Sequence, residues 1–223
     1  ALAEVARSFG LTPEDVDRAI RAWGERTEDP YGKGLAALYE KHYPEASRLL
    51  AASLEQRKAD LVKAREGVAD AAFFLGHSLY EQGKYRESAA AYRQALALRP
   101  DDSTVLNNLG LSLSEAGDYA AAEPPLRRAL GITEKMLGPE HPSVGVSLNS
   151  LGVLLRDKGD YRAAEPLYRR ALAIAEKTLG PEHRSVGISL NNLGVLLRDK
   201  GDYRAAEPPL RRALGITEKM LGP

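Results

Sequence analysis

Apolar and small residues recur along this chain in a register that predicts pairs of α-helices. Each copy has a glycine, a tyrosine nine residues after it, and small residues three and ten residues after the tyrosine. The glycines are Gly34, Gly76, Gly110, Gly152 and Gly194, so the copies are spaced by 42, 34, 42 and 42 residues. A glycine within a first helix allows a second helix to approach closely. The pattern therefore predicts consecutive helical hairpins.

Near-identical segments strengthen this prediction, as do the glycines and aspartates that stand where helices are expected to end and begin. Residues 151–166 and residues 193–208 both read LGVLLRDKGDYRAAEP. A glycine is expected to end each first helix, in the left-handed conformation that favours glycine. The aspartate that follows is expected to cap the second helix in three copies. The glycines are Gly83, Gly117, Gly159 and Gly201, and the aspartates are Asp118, Asp160 and Asp202.

Residues 1–28 stand outside the repeat. Thr12-Pro13-Glu14-Asp15 predicts a helix start, and Val16, Ile20 and Trp23 form an apolar stripe at helical spacing. A shorter helix is expected before Gly10. A DNA-binding helix-turn-helix is the alternative, but acidic residues on its recognition helix would repel phosphate. A helical cap over the first repeat is therefore the favoured interpretation.

The repeats resemble those of a known family. Residues 69–102 resemble the tetratricopeptide repeat (TPR), with Leu75-Gly76, Tyr92, Ala95 and Pro100 in the expected places. Residues 103–223 resemble the 42-residue variant found in kinesin light chains and many bacterial regulatory proteins, on stretches such as SLNNLGVLLRDKGDYRAAEP (189–208). The resemblance implies an all-α fold, an α-solenoid of antiparallel hairpins wound as a right-handed superhelix.

The expected organisation is a cap followed by five hairpins. The second helix of the divergent first unit is expected from about Glu45 to Arg65. A longer helix is the alternative, because the Leu-Gly-Pro break is absent and Gly67 is the only residue that would interrupt it. The predicted segments are 1–28 (cap), 29–68 (divergent hairpin with a long second helix), 69–102, 103–144, 145–186 and 187–223, the last truncated at its C-terminal end.

The resemblance implies that the first helices line a concave groove. Asn107, Asn149 and Asn191 form one column, and a carboxamide can both donate and accept hydrogen bonds along a peptide backbone. The alternative is that these residues are only repeat consensus. Aromatic residues are expected at one end of the groove and arginines at the other. The implied groove residues are Phe73, His77, Tyr80, Asn107, Leu111, Asn149, Val153, Arg156, Asn191, Val195 and Arg198.

Candidate catalytic chemistry is sparse. His141 and His183 occupy equivalent Pro-Glu-His loops a full repeat apart, which disfavours a shared metal ion and favours loop capping. Paired arginines follow a glutamate four residues earlier, which predicts ion pairs on an exposed helix face, with a phosphate-binding stripe as the alternative. These arginines are Arg127, Arg169 and Arg211, preceded by Glu123, Glu165 and Glu207. We expect no enzyme activity and no cofactor.

Composition sets the remaining expectations. The chain has 223 residues, a formal net charge of zero and no cysteine, so no global field attracts nucleic acid and no thiol chemistry is available. No apolar run is long enough to cross a membrane. The absence of cysteine fits the cytoplasm. Without an initial methionine, and with its last repeat incomplete, the chain is expected to be a fragment.

The sequence therefore predicts a scaffold that binds a protein or a peptide in its groove. We expect it to be the sensor or regulatory part of a larger bacterial signalling protein, with neither nucleic acid nor membrane as a partner. The alternative is a self-association module. Its last helix presents Leu210, Leu214, Ile216 and Met220 without a following cap, which would favour homo-oligomers.

Overall fold

The structure is a computed structural model that describes residues 12–221, and ten α-helices account for most of this range. Within it, no residue lies in a β-strand. The helices are α1 (Pro13–Arg26), α2 (Pro30–Tyr39), α3 (Tyr43–Glu81), α4 (Tyr85–Leu98), α5 (Ser103–Glu115), α6 (Tyr119–Leu137), α7 (Pro142–Asp157), α8 (Tyr161–Leu179), α9 (Arg184–Asp199) and α10 (Tyr203–Leu221). The chain divides into two compact units, Ala1–Gly67 and Val68–Pro223.

In the first unit, α1 packs against α2, and α2 packs against the start of α3. A Cβ placed on Gly24 would lie 2.5 Å from Cβ of Ala36, and one placed on Gly34 would lie 2.7 Å from Cγ of Leu50. Helix α1 begins at Pro13 as expected. The side chain of Val16 and the helix expected before Gly10 lie outside the described residues.

Helix α3 has no break at Gly67. The second helix of the divergent unit is long, as expected, and it continues past Arg65, because the helix extends from Tyr43 to Glu81. Gly67 lies in open space and has no positive φ. A single glycine within a helix costs only about 1 kcal/mol relative to alanine, which is too little to end a helix without a cap or a proline.

The second unit consists of hairpins whose turns follow the predicted punctuation. Gly83, Gly117, Gly159 and Gly201 have φ between +73° and +83°, which is the left-handed region. Asp118 and Asp160 cap α6 and α8 by accepting hydrogen bonds from backbone N–H groups at 3.1 Å. Asp202 accepts the equivalent bond from the backbone of Ala205 at 3.1 Å. The predicted ends of these helices are thus confirmed.

Glycine in each first helix lies directly against the second helix of the same hairpin. A Cβ on Gly76 or Gly152 would meet the ring of Tyr92 or Tyr168 within 2.8 Å, and Leu126 and Leu210 lie equally close to the equivalent glycines Gly110 and Gly194. Both predicted columns of small residues are buried. They are Ala46, Ser88, Ala122, Ala164 and Ala206, and Ser53, Ala95, Ala129, Ala171 and Ala213.

The first helices of the second unit form its inner layer. Helix α7 contacts both α5 and α9, whereas the second helices α6, α8 and α10 make no such direct contacts with one another in the described residues. The first helices therefore lie closer to one another than the second helices do. As a result, the surface that the first helices present to solvent is concave. The main hydrophobic core lies between the layers and runs from Ala72 to Ala206.

Candidate functional site

Three equivalent side chains on each of α5, α7 and α9 line the concave surface at a spacing of three and four residues. Val146 and Ile188 are 56% and 44% exposed, and Leu111, Val153 and Val195 are half-buried. We call this surface the inner groove. It consists of Thr104, Asn107, Leu111, Val146, Asn149, Val153, Ile188, Asn191 and Val195. All nine side chains are uncharged.

The sequence analysis missed the first residue of each trio. Thr104, Val146 and Ile188 lie three residues before the asparagines, on the same helical face. That spacing was visible in the sequence. Because the two aliphatic residues are exposed, the groove is more apolar than the asparagine column alone suggests.

The three asparagines of the column differ in their surroundings. Nδ2 of Asn149 donates a hydrogen bond to Oγ of Ser189 at 2.9 Å. The Oδ1 atoms of Asn107 and Asn149 are covered by protein and accept no hydrogen bond from the described residues. Asn191 is exposed. Only one of the three therefore presents its carboxamide openly in this structure.

The predicted aromatic end divides into two parts. Phe73 packs on Tyr92, with ring centroids 5.8 Å apart, and is partly buried against the core. His77, Tyr80 and Leu111 line a small pocket of about 170 Å³ together with Tyr92. Burial, together with the nearby carboxylate of Glu115, raises the pKa of Tyr80 to about 12, so this hydroxyl stays protonated and can donate a hydrogen bond.

The predicted basic end is neutralised by acidic neighbours. Arg156 donates hydrogen bonds to Oδ1 of Asp157 at 2.7 and 3.1 Å and lies 3.9 Å from Oδ2 of Asp199. Burial acts to lower the pKa of Arg156, but the bonds and charge of Asp157 outweigh it and raise that pKa. Arg198 pairs with Asp199 at 3.2 Å. An anionic ligand would have to compete with both carboxylates.

The remaining candidate residues have structural roles. Nδ1 of His141 and of His183 accepts a hydrogen bond from the backbone N–H of Ser143 and Ser185, at 3.2 and 3.1 Å, so both cap helices as expected. Arg127, Arg169 and Arg211 form the predicted ion pairs with the glutamates four residues before them. No group of three or more His, Cys, Asp and Glu side chains among residues 12–221 is placed to hold a metal ion.

Two of these glutamates also bind lysines of the next repeat. Glu123 pairs with Lys158 at 2.5 Å, and Glu165 pairs with Lys200 at 2.6 Å. The hydrogen bonds from Lys158 and Arg127 lower the pKa of Glu123, and those from Lys200 and Arg169 do the same for Glu165. These ion pairs link consecutive hairpins. The same glutamates also pair with Arg127 and Arg169, so these arginines already have anionic partners within the chain.

The described helices define a solenoid of packed hairpins, the class to which helical repeat scaffolds belong. The family model described as "Tetratricopeptide repeat" matches residues 101–177 and 147–219, and the model described as "TPR repeat" matches residues 76–117. These matches span more than half of the sequence, so the chain belongs to the tetratricopeptide repeat family. The family expected from the sequence is confirmed.

Solved structures with a similar fold include BtubC (BKLC) from P. vanneervenii. It is 21% identical with a TM-score of 0.62, over 93% of this chain and 89% of that protein. A putative kinesin light chain from Podosopora anserina, with nearly identical TPR-like repeats, is 21% identical with a TM-score of 0.61, over 89% of this chain and 97% of that protein. At this identity the likeness shows the fold alone. A comparison with curated protein sequences finds no match.

Proposed function

We infer that this chain takes part in protein–protein interaction, as TPR repeats generally do; the TPR fold is typically a scaffold without catalysis. We propose that this chain binds a partner protein through an extended peptide segment laid along the inner groove. The observation that carries the proposal is the exposure of Val146 and Ile188 beside the asparagine column. Exposed aliphatic side chains in a concave, uncharged surface favour burial by a ligand.

The asparagine column supports the same function. Asn191 offers a free donor and acceptor, and the covered Oδ1 atoms of Asn107 and Asn149 have no partner among the described residues. An unpaired buried polar atom costs about 1–3 kcal/mol. A rotation of either carboxamide towards the groove would let that oxygen accept a hydrogen bond from a peptide N–H group. Peptide binding would then recover the free energy that the unbound protein loses because these two oxygens are unpaired.

We also propose where the protein acts. Within residues 12–221, no helix combines the length and the apolar character that a membrane span requires. The resemblance of the 42-residue repeats to those of bacterial regulatory proteins supports a place as the sensor part of a larger cytoplasmic signalling protein. Binding of a peptide in the inner groove would be the sensed event.

The test is a selection of random displayed peptides against the chain, with affinities measured by fluorescence polarisation. The groove variant Val146→Glu/Ile188→Glu should weaken binding of the selected peptides at least tenfold, because it places charge where apolar contacts form. Met136→Glu is the matched control, since Met136 is 73% exposed on a second helix. Selected peptides that bind the groove variant as tightly as the unmodified chain would refute the proposal.

A second candidate function is self-association, and it rests on an apolar cleft between α9 and α10. The cleft encloses about 690 Å³ and includes Leu210, Leu214, Ile216 and Met220. Leu214 is 59% exposed, whereas the equivalent Leu130 and Leu172 pack against core clusters. We propose that a helix of a second copy covers this cleft.

Sedimentation velocity over a concentration range tests self-association. The unmodified chain should shift from monomer to a larger species as its concentration rises, and Leu214→Glu should remain monomeric. A chain that is monomeric throughout the range would contradict this second candidate and leave the peptide-binding proposal intact.

A further inference from the structure

Helix α8 differs from its near-duplicates α6 and α10 at a buried position that lies beside the inner groove. Ala175 stands where α6 has Thr133 and α10 has Thr217. The Thr133 hydroxyl donates a hydrogen bond to the backbone oxygen of Ala129 at 2.8 Å, and the Thr217 hydroxyl donates to that of Ala213 at 3.0 Å. The fold therefore accepts threonine at this position, and alanine leaves the corresponding space empty.

A cavity of about 230 Å³ lies beside Ala175, between α7, α8 and α9. Its apolar wall includes Val146, Val153, Leu179 and Ile188. Its polar wall consists of Asn149, Ser150, Ser185, Ser189 and Asn192. None of the residues that line it is charged. Because Val146, Asn149, Val153 and Ile188 also belong to the inner groove, the cavity is a recess in the surface proposed to hold a peptide.

We propose that this recess is the anchor site for one large apolar side chain, of leucine or phenylalanine size, from the bound peptide. The inference rests on the proposed function of the groove and deepens it. A dry cavity of about 150 Å³ lined by aliphatic residues holds a benzene molecule, so 230 Å³ is enough for one such side chain. A charged side chain would lose its hydration there and gain no partner.

The lining of the anchor site is not repeated between α5, α6 and α7. At the equivalent place between α5, α6 and α7, Thr104 replaces Val146 and Thr133 replaces Ala175. Both changes add a hydroxyl, and the second also adds a methyl group. Near-identical repeats would otherwise allow a peptide to bind in several registers one repeat apart. The recess beside Ala175 therefore favours the register in which the anchor residue lies between α7, α8 and α9 over the register one repeat earlier.

The test uses a peptide selected against the full chain, with its anchor residue identified by alanine scanning. Ala175→Thr should weaken binding at least tenfold, because it adds a hydroxyl and a methyl group to the wall of the recess and so narrows it. The fold accepts threonine at two equivalent positions. Thr133→Ala is the control and should leave the affinity within twofold. Replacing the apolar anchor of the peptide by alanine should weaken binding to the unmodified chain by a similar factor, but have little further effect on Ala175→Thr.

The outcomes separate this inference from the function on which it rests. If Ala175→Thr binds the peptide unchanged while Val146→Glu/Ile188→Glu loses it, the groove binds peptides but the recess is not an anchor. If both variants bind unchanged, the proposed function itself fails. The peptide series needs no protein variant, so tight binding after the anchor is replaced by lysine would overturn the inference even if Ala175→Thr did not fold.

Discussion

Glycine in the middle of each first helix allows the second helix to lie directly against it. The repeat of Gly76, Gly110, Gly152 and Gly194 predicted this contact from the sequence, and the structure places an aromatic ring or a leucine over each of them. Some other helical glycines have no neighbouring atom near the place of a Cβ. Gly131 lies in open space, and alanine occupies the equivalent position 173 of α8. The same residue type therefore has opposite roles on the two helices.

This contrast predicts opposite effects for the same substitution. Gly152→Ala should lower the free energy of unfolding by about 1–3 kcal/mol, because its Cβ would lie 2.6 Å from Cε1 of Tyr168. Gly131→Ala should raise it by roughly 0.5–1 kcal/mol, because alanine loses less backbone entropy in a helix. Urea denaturation measures both changes. Two changes of the same sign would show that the glycine contacts are misplaced.

A second prediction concerns Lys41, which has φ of +66° in the turn between α2 and α3. Glycine stands at the equivalent turn position in the other hairpins, as Gly83 does. Lys41→Gly should raise the free energy of unfolding by about 0.5–1 kcal/mol. A left-handed residue with a Cβ is strained by about 1–2 kcal/mol, and glycine removes that strain. Part of the gain is lost because glycine has more backbone entropy in the unfolded chain.

Thermal and urea denaturation of the Lys41→Gly variant provide the measurement. Lys58→Gly, in the interior of α3, is the control and should cost about 1 kcal/mol. A loss of stability in both variants would mean that the turn at Lys41 does not require a positive φ.

For each helix, the two ends could be predicted from the sequence, whereas the partners of its side chains could not. Glycine and aspartate indicate the turns because backbone conformation and helix capping are local properties. Gly67 does not end helix α3, because a lone glycine carries no capping information. The pairing of Arg156 with Asp157 and of Asn149 with Ser189 depends on side-chain rotamers and on the neighbouring repeat, which sequence spacing does not determine.

The histidine caps provide a test at this scale. His183→Ala should lower the free energy of unfolding by about 1 kcal/mol, because the backbone N–H of Ser185 loses its acceptor at the start of α9. His183→Asn should retain most of the stability, since asparagine is among the best N-cap residues. If asparagine were as harmful as alanine, the histidine would have some role other than capping.

At the scale of the whole molecule, a chain of repeats is stabilised mainly by contacts between neighbours, so its parts need not unfold together. The chain divides at Gly67, and its single tryptophan, Trp23, lies in the first unit. Among the described residues, the first unit also buries fewer large apolar side chains, since the largest fully buried ones lie in the second unit. The two units should therefore differ in stability.

Equilibrium unfolding in urea should show this difference. The fluorescence of Trp23 should change at a lower urea concentration than the far-ultraviolet circular dichroism, which reports all helices. The comparison needs only the unmodified chain and two probes. A single transition with the same midpoint by both probes would establish cooperative unfolding and contradict the prediction.

The central claim is that the first helices, and not the second, hold the partner. Its most direct test is site-specific photo-cross-linking with benzoyl-phenylalanine placed at Val146 in the inner groove or at Met136 on α6, using a selected peptide. The account predicts a cross-linked product from position 146 that an excess of unlabelled peptide abolishes, and none from position 136. Cross-linking confined to position 136 would contradict it and move the binding surface to the second helices.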